Sequence, residues 1–541
     1  MRGALIYLIS ILVLILCIPM SVSLLYAVFD HGGVGFLGSD GYAFLISIAI
    51  GVTLGYIGYR TQERAGVTAQ IKPTDAFLIV TLTWIVAASF GALPYLIYGL
   101  FEQQGCGLLD ATPSPQALGA EFCSFTNAFF ESMSGFTTTG STIIERGLWH
   151  SYEHGIGYLE DGQVGLPRSV MLWRSVTHLL GGMGIVVLGV AVLPLLGVGG
   201  MQLYHAEVPG PMSEQFAPRV GEGAKMLWKI YAVMTLILTG LYWCFGMDLF
   251  ESICHSMSTM ATGGFSTRAQ SFAGFESPTL EWITITFMFL AGVNFTLYTL
   301  TRSGWRAPLV LMKRLRANQE LVMYALIILI TTTAISVSLW GDEALPGHES
   351  PVRAAAFQVL SVMTTTGYAT ADFELWTSAP VALFCVVALM FVGGCAGSTG
   401  GGMKVVRHLL LARLCLREFF YLLHPTGQRS IRVSNAVVPP EVLRAAMGFI
   451  GLYLMIFTLG ALYFTLEGQD LVTALTASIS SLGNIGPGLG EVGPTDDFTG
   501  LSALGKWVSA SLMLMGRLEL LTVLILFTPS YWRARSLSRA R

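Results

Sequence analysis

Ser134-Gly-Phe-Thr-Thr-Thr-Gly140-Ser-Thr142 has three variants further along the chain. They are Ser258-Thr-Met-Ala-Thr-Gly-Gly264-Phe-Ser266, Ser361-Val-Met-Thr-Thr-Thr-Gly367-Tyr-Ala369 and Ser480-Ser-Leu-Gly-Asn-Ile-Gly486-Pro-Gly488. Each has a serine six residues before a glycine and an apolar residue (Phe136, Met260, Met363 or Leu482) four before it. The residue two before it is Thr138, Thr262, Thr365 or Asn484. The glycines lie 124, 103 and 119 residues apart, with apolar segments filling the gaps. The pattern implies four loops that meet on one axis and line a cation pore with backbone carbonyls.

Composition places these loops in a membrane. Of 541 residues 53% are hydrophobic and only 12% charged, half the charge of an ordinary soluble domain. Many runs reach the roughly 20 apolar residues that one spanning helix needs. A net charge of -3 gives no basis for nucleic-acid binding. The 61 glycines suit close helix packing and backbone-lined cavities. The first apolar run is too long for a signal-peptide core and no small-residue cleavage site follows it, so it reads as a retained helix. Cys106 and Cys123 share one outer loop; a disulfide and two separate thiols both fit their spacing.

The expected fold is an all-α polytopic membrane protein. Residues 1–70 hold two additional N-terminal helices. Four repeats follow, at 71–205, 206–310, 311–435 and 436–541, each reading helix, short re-entrant segment, glycine stretch, helix. The second helices are expected near 170–197, 279–301, 379–411 and 501–527. Before each glycine stretch lies an apolar segment of ~10–12 residues, too short to span and suited to a half-helix. Lysines and arginines collect at 302–316, 404–417 and the C-terminus, and acids in the alternate loops. Positive residues mark the cytoplasmic side, so both termini are expected inside. Ten full spans and four half-spans entering from outside satisfy this topology.

The residue types suit a monovalent cation. A dehydrated ion needs oxygens in place of its water, and stacked carbonyls from Thr/Gly loops supply them. No carboxylate occurs in the four stretches, so potassium leads over sodium and over divalent ions. Single glycines of this sort also serve as helix-packing positions or turns; fourfold recurrence with one sidedness favours the pore. The predicted filter residues are Thr138, Thr139, Gly140; Thr262, Gly263, Gly264; Thr365, Thr366, Gly367; and Asn484, Ile485, Gly486. The ion path is expected along the carbonyls of 138–142, 262–266, 365–369 and 484–488.

These motifs resemble the Trk/Ktr/HKT superfamily of potassium transporters, most closely its bacterial TrkH-type members. The resemblance rests on the stretches above, on Gly181-Gly-Met-Gly-Ile185, Leu196-Gly-Val-Gly-Gly-Met-Gln202, Gly393-Gly-Cys-Ala-Gly-Ser-Thr-Gly-Gly-Gly-Met-Lys404 and Met515-Gly-Arg-Leu-Glu-Leu520. It covers essentially the whole chain. It implies a pseudo-fourfold pore in a homodimer, and a separate cytosolic TrkA-type nucleotide-binding ring as regulatory partner. No nucleotide site is expected in this chain; Gly488-Leu-Gly490-Glu-Val-Gly493 follows no predicted strand.

Six of the ten residues from Gly393 to Gly402 are glycine: 393, 394, 397, 400, 401 and 402. At ~1 kcal/mol each relative to alanine, they break the helix. The resemblance makes this an intramembrane gating loop; a flexible turn at the membrane surface is the plainer alternative. Arg517 lies in the middle of the expected last helix and has to face the pore or a partner rather than lipid. The resemblance places it in the ion path as an electrostatic barrier. Lys404 reads as a residue that snorkels to the inner interface. No hydrolase or metal-site pattern appears, so an enzyme is not expected. The rival reading is a proton- or sodium-coupled secondary transporter using the same loops as a binding site.

Overall fold

In hydrocarbon every backbone N–H and C=O has to be satisfied within its own segment, so the apolar runs fold as helices. The computed structural model describes residues 2–31, 38–64, 73–101, 120–144, 166–191, 220–268, 270–304, 315–340, 350–434 and 436–533. Among them, six helices are long and apolar enough to cross a membrane, or seven if one bent pair is counted as a span. Their outward faces carry exposed Leu236, Leu329 and Leu462, while threonines and serines are buried inside. This is the inverse of a soluble protein and fits lipid as the outer solvent.

Arg2–Asp30 and Ser39–Arg64 form an antiparallel pair preceding the repeats. Small residues let them approach closely: a Cβ at Gly55 would lie 3.2 Å from the Ser10 carbonyl. Each repeat then opens with a long helix: Asp75–Phe101, broken near Ala92, Val220–Cys244, Gln319–Ser338 and Pro440–Glu467. Four short helices follow, at Phe125–Phe136, Leu249–Ala261, Pro351–Met363 and Leu471–Gly483. At 12 or 13 residues each is ~20 Å long, short of the ~30 Å hydrocarbon layer. The predicted half-helices are therefore present in all four repeats. Asp248 and Asp470 cap two of them, accepting from Phe250 N and from Val472 N and Thr473 N.

The second helices depart from expectation. Only that of repeat 1, Arg168–Ala191, runs unbroken through its described length. In repeat 2, Pro278–Ala291 stops and Phe295–Gly304 begins after a break at 292–294. In repeat 3, Pro380–Leu389 and Val405–Leu423 flank the glycine-rich loop. In repeat 4, Ala503–Arg517 turns through 109° into Leu521–Phe527. The expected continuous helices at 279–301 and 501–527 are thus corrected to broken ones. Glu519 and Leu520 carry positive φ of 57° and 44° at the last bend, which ends the hydrogen-bond ladder without a proline.

A two-residue hairpin, Arg432–Val433 with Ala436–Val437, lies between repeats 3 and 4 and was not expected. Gln319 fixes it: Ser434 N donates to Gln319 Oε1 at 2.9 Å, and Arg413 donates to the same oxygen at 2.7 Å. Cys123 is disulfide-bonded. Cys106, the Leu196–Gln202 motif and the basic residues Arg306, Lys313 and Arg314 lie outside the described residues.

Candidate ion-conduction site

The four glycine stretches share one backbone. Thr138, Thr262, Thr365 and Asn484 have φ between 50° and 60°, and Gly140, Gly264, Gly367 and Gly486 between 81° and 105°. The residue between each pair is not left-handed. Alternating hand brings successive carbonyls to one side of a strand, where a strand of uniform hand would alternate them. The left-handed residue donates its N–H to the third residue before it: Gly135, Thr259, Val362 or Ser481. The next N–H donates to the carbonyl of Ser134, Ser258, Ser361 or Ser480 at 2.8–2.9 Å. The serine that marks each stretch therefore anchors its turn through the main chain.

The stretches close into a ring. A Cβ on Gly140 would collide with the Gly263 carbonyl oxygen, one on Gly264 with that of Thr366, and one on Gly367 with that of Ile485. A Cβ on Gly486 would lie 2.7 Å from the Thr139 oxygen, which returns to the first repeat. Repeats 1, 2, 3 and 4 follow one another around a single axis, and all twelve predicted filter residues meet there. Only glycine combines the positive φ with this closeness.

Two rows of four carbonyls, from Thr138, Thr262, Thr365 and Asn484 and from Thr139, Gly263, Thr366 and Ile485, accept no hydrogen bond from any described residue. These residues are buried, where backbone acceptors are normally satisfied. The outer parts of the predicted spans differ. Thr142 O accepts from Phe498 N, Ala369 O from Phe272 N, Tyr368 O from Ser361 Oγ and Gly486 O from Ser480 Oγ. Those carbonyls hold the ring together.

The chemistry is twofold rather than fourfold. In repeats 1 and 3, on opposite sides, Thr137 Oγ1 and Thr139 Oγ1 lie 2.8 Å apart, as do Thr364 Oγ1 and Thr366 Oγ1. In repeat 4, Asn484 replaces threonine and donates to Thr139 Oγ1 at 3.0 Å and Met513 O at 2.9 Å, stitching repeat 4 to repeat 1.

Sequence reasoning missed a set of buttresses. Nine residues before the ring glycine stand Glu131, His255 and Gln358 in repeats 1 to 3. Glu131 accepts from Thr142 Oγ1 and Ile143 N at 3.1 Å. His255 Nε2 is 3.0 Å from Ser266 Oγ, and Gln358 Nε2 is 3.4 Å from Ala371 O. Thr476 does the same work in repeat 4, donating to Leu489 O at 3.0 Å and accepting from Leu489 N at 2.9 Å. Each ties the short helix to the chain leaving the ring. The only signal was a polar residue within an apolar half-helix, and its identity differs in every repeat.

At the base of the ring, where the short helices end, lies the glycine-rich loop. Gly401 N donates to Thr365 Oγ1 at 2.6 Å, and a Cβ on Gly400 would sit 2.9 Å from the Thr364 oxygen. Gly393 N bonds Met403 O at 2.7 Å, closing the loop on itself. Cys395 N bonds Gly292 O, and Phe295 N bonds Gly397 O, so the break in repeat 2 cradles the loop in repeat 3. Gly397 and Gly402 take positive φ of 73° and 64°, and Gly394 packs 3.0 Å from Gly292 O by its missing Cβ. Gly393, Gly394, Gly400 and Gly401 are buried while Gly397 is exposed, so most of the loop lies inside the protein.

Arg517 is buried and ends the helix Ala503–Arg517 rather than occupying its middle. Nη1 donates to Thr399 O in the loop at 2.8 Å and Nη2 to Gly181 O in repeat 1 at 3.3 Å. Glu519, two residues on, pairs with Arg407 at 2.6 Å. Lys404 does not snorkel. It is buried and its ammonium turns back onto the carbonyls of Gly400 and Gly401. At the opposite, mouth side, a cavity reaches all four ring glycines and is rimmed by Asp496 and Asp497, with Arg174 and Arg268 in its wall.

Residues 112–534 match the TrkH family, described as cation transport protein. The chain is 36% identical over 524 residues to the Trk system potassium uptake protein TrkH of Escherichia coli (strain K12), covering 95% of each. It is 36% identical over 527 residues to the Trk system potassium uptake protein TrkI of Halomonas elongata, covering 97% of this chain and 96% of that one. The crystal structure of the potassium transporter TrkH from Vibrio parahaemolyticus matches with a TM-score of 0.80 at 32% identity, over 98% of this chain and all of that one. The chain therefore belongs to the TrkH family of cation transport proteins.

Proposed function

We propose that this chain is the membrane subunit of a Trk-type potassium uptake system, not an enzyme, and that potassium passes through the ring. The observation that carries this is the pair of rows of buried carbonyls without a protein donor. Eight such oxygens around one axis can replace the hydration shell of a monovalent cation. The mouth cavity opens to the outside; it carries Asp496 and Asp497 beside Arg174 and Arg268, whose charges Glu131 and Glu251 offset, and so favours cations. The ion then meets the glycine-rich loop and the Arg517 guanidinium, which together close the path. Opening requires the loop to leave its seat against Thr364 and Thr365.

The protein sits in the inner membrane with both termini cytoplasmic, in keeping with its basic loops. It works as a homodimer and takes its regulatory signal from a cytosolic nucleotide-binding ring; the Trk system names of its relatives support a multi-part assembly.

The test is rubidium-86 uptake into proteoliposomes with potassium, sodium and lithium as competitors. Uptake down the rubidium gradient, blocked by potassium and weakly by sodium, is expected. Uptake that requires an imposed proton or sodium gradient would replace this reading with a coupled transporter.

A further inference from the structure

Arg174 lies six residues into the second helix of repeat 1 and is 1% exposed. A buried charge is costly unless paired and fully hydrogen-bonded. Its partners fall on two different repeats. Nε donates to Glu131 Oε1 at 2.7 Å and Nη2 to Thr142 Oγ1 at 3.3 Å, both in repeat 1. Nη1 donates to Ser266 O at 3.3 Å in repeat 2, and the guanidinium lies 3.9 Å over the Phe265 ring.

Thr142 and Ser266 occupy the same register, each two residues beyond its ring glycine. One planar cation therefore clamps equivalent points of adjacent strands, just above the closest approach of Gly140 to Gly263. Glu131 completes the strap, because it also holds Thr142 and the Ile143 N–H.

The other joints at this level are built differently. Repeats 2 and 3 meet through Phe272 N and Ala273 N on Ala369 O, at 3.0 and 3.1 Å. Repeats 3 and 4 meet through Thr495 Oγ1 on Asp372 at 3.3 Å. Repeats 4 and 1 meet through Phe498 N on Thr142 O at 2.8 Å and Ser141 Oγ on Gly486 O at 3.2 Å. Arg353 of repeat 3 also pairs with Glu281 of repeat 2, at 2.8 Å, but away from the strands; Arg174 is the guanidinium that bonds the positions two beyond the ring glycines of adjacent strands.

We infer that Arg174 is a specificity-determining positioning residue: it fixes the spacing between the first and second strands of the ring and so the size of the carbonyl cage presented to the ion. This rests on the ring being the ion filter. Its charge is neutralised by Glu131 and its donors are turned to protein acceptors, so it does not act as a barrier to cations. The planar fork is essential. Lysine keeps the charge, but a single ammonium cannot reach both strands in that geometry or lie flat on Phe265.

The experiment compares full-length wild type with Arg174→Lys, Glu131→Gln and Phe265→Leu in the rubidium-86 assay. The readout is the ratio of sodium to potassium concentrations giving half inhibition. In Arg174→Lys that ratio is expected to fall by about tenfold, the scale of one lost charge-assisted hydrogen bond. Glu131→Gln and Phe265→Leu shift it less, in the same direction. Lower uptake with an unchanged ratio would mark a merely structural role and overturn the inference. If Arg174→Lys yields no folded protein, an unchanged ratio in both other variants overturns it equally. A wild type that does not prefer potassium to sodium would instead bring down the filter reading itself.

Discussion

At the scale of single residues, the ring glycines carry the sharpest expectation. Gly140→Ser places a Cβ against the Gly263 oxygen at a φ of 85°. Strand 1 has to move away, and potassium preference over sodium in rubidium-86 competition should fall; an unchanged ratio would exclude Gly140 from the ion's coordination. Arg517→Ala removes the link from Thr399 O to Gly181 O together with the charge beneath the ring. Basal rubidium uptake is expected to rise about tenfold or more, the scale of a buried charge-assisted bond; a fall would mean that the guanidinium supports the path rather than obstructing it. Glu374, on the turn Phe373–Ser378 at the mouth, is pushed up to about 7, first by burial and then by Asp372, Asp496 and Asp470, against a lowering bond to the Gly490 backbone. A carboxyl with a raised native pKa keeps a proton that the unfolded chain has released. It therefore lowers stability as pH climbs from about 4.5 toward 7. Over the same titration the mouth gains negative charge. Rubidium uptake at low ionic strength should increase between about pH 6 and 8, and Glu374→Gln should flatten that rise; an identical pH profile in the variant would refute the assignment.

At the scale of elements, the glycine-rich loop is held by main-chain bonds from two repeats and by Thr365. Shortening 394–401 should unseat it and raise basal uptake, while a variant that stays closed would remove its role as a gate. The loop was legible in the sequence because six glycines within ten residues cannot continue a helix. The half-helices were legible because an apolar run of 12 or 13 residues cannot cross a bilayer. The breaks at 292–294 and 518–520 were not. They contain no proline, and the contacts that hold the chain there are tertiary: Gly292 O accepts from Cys395 N at 2.9 Å, Phe295 N donates to Gly397 O at 3.1 Å, and Arg407 pairs with Glu519 at 2.6 Å. The Glu131, His255, Gln358 and Thr476 buttresses escaped for a related reason. Different side chains do one job, so no recurrence of residue type exposes them.

At the scale of the molecule, the pseudo-fourfold plan could be read from the recurrence of Ser and Gly at fixed offset, but its order around the axis could not. Adjacency is written in which carbonyl each absent Cβ would strike, a relation between residues more than a hundred positions apart. The helices enclosing the ring turn leucines outward and threonines inward, which is why composition alone identified the solvent as lipid. The ring is also encoded once per quadrant. An assembly of four identical chains changes all four ligand sets with every codon change. Here a substitution alters one quarter of the cage and leaves three intact. Differences between quadrants are already present: repeats 1 and 3 carry a Thr–Thr pair, and Asn484 of repeat 4 bonds Thr139. On the proposed filter reading, ion preference can therefore be inherited and tuned in quarter steps, each small enough for the unaltered strands to keep the pore working while it is tried.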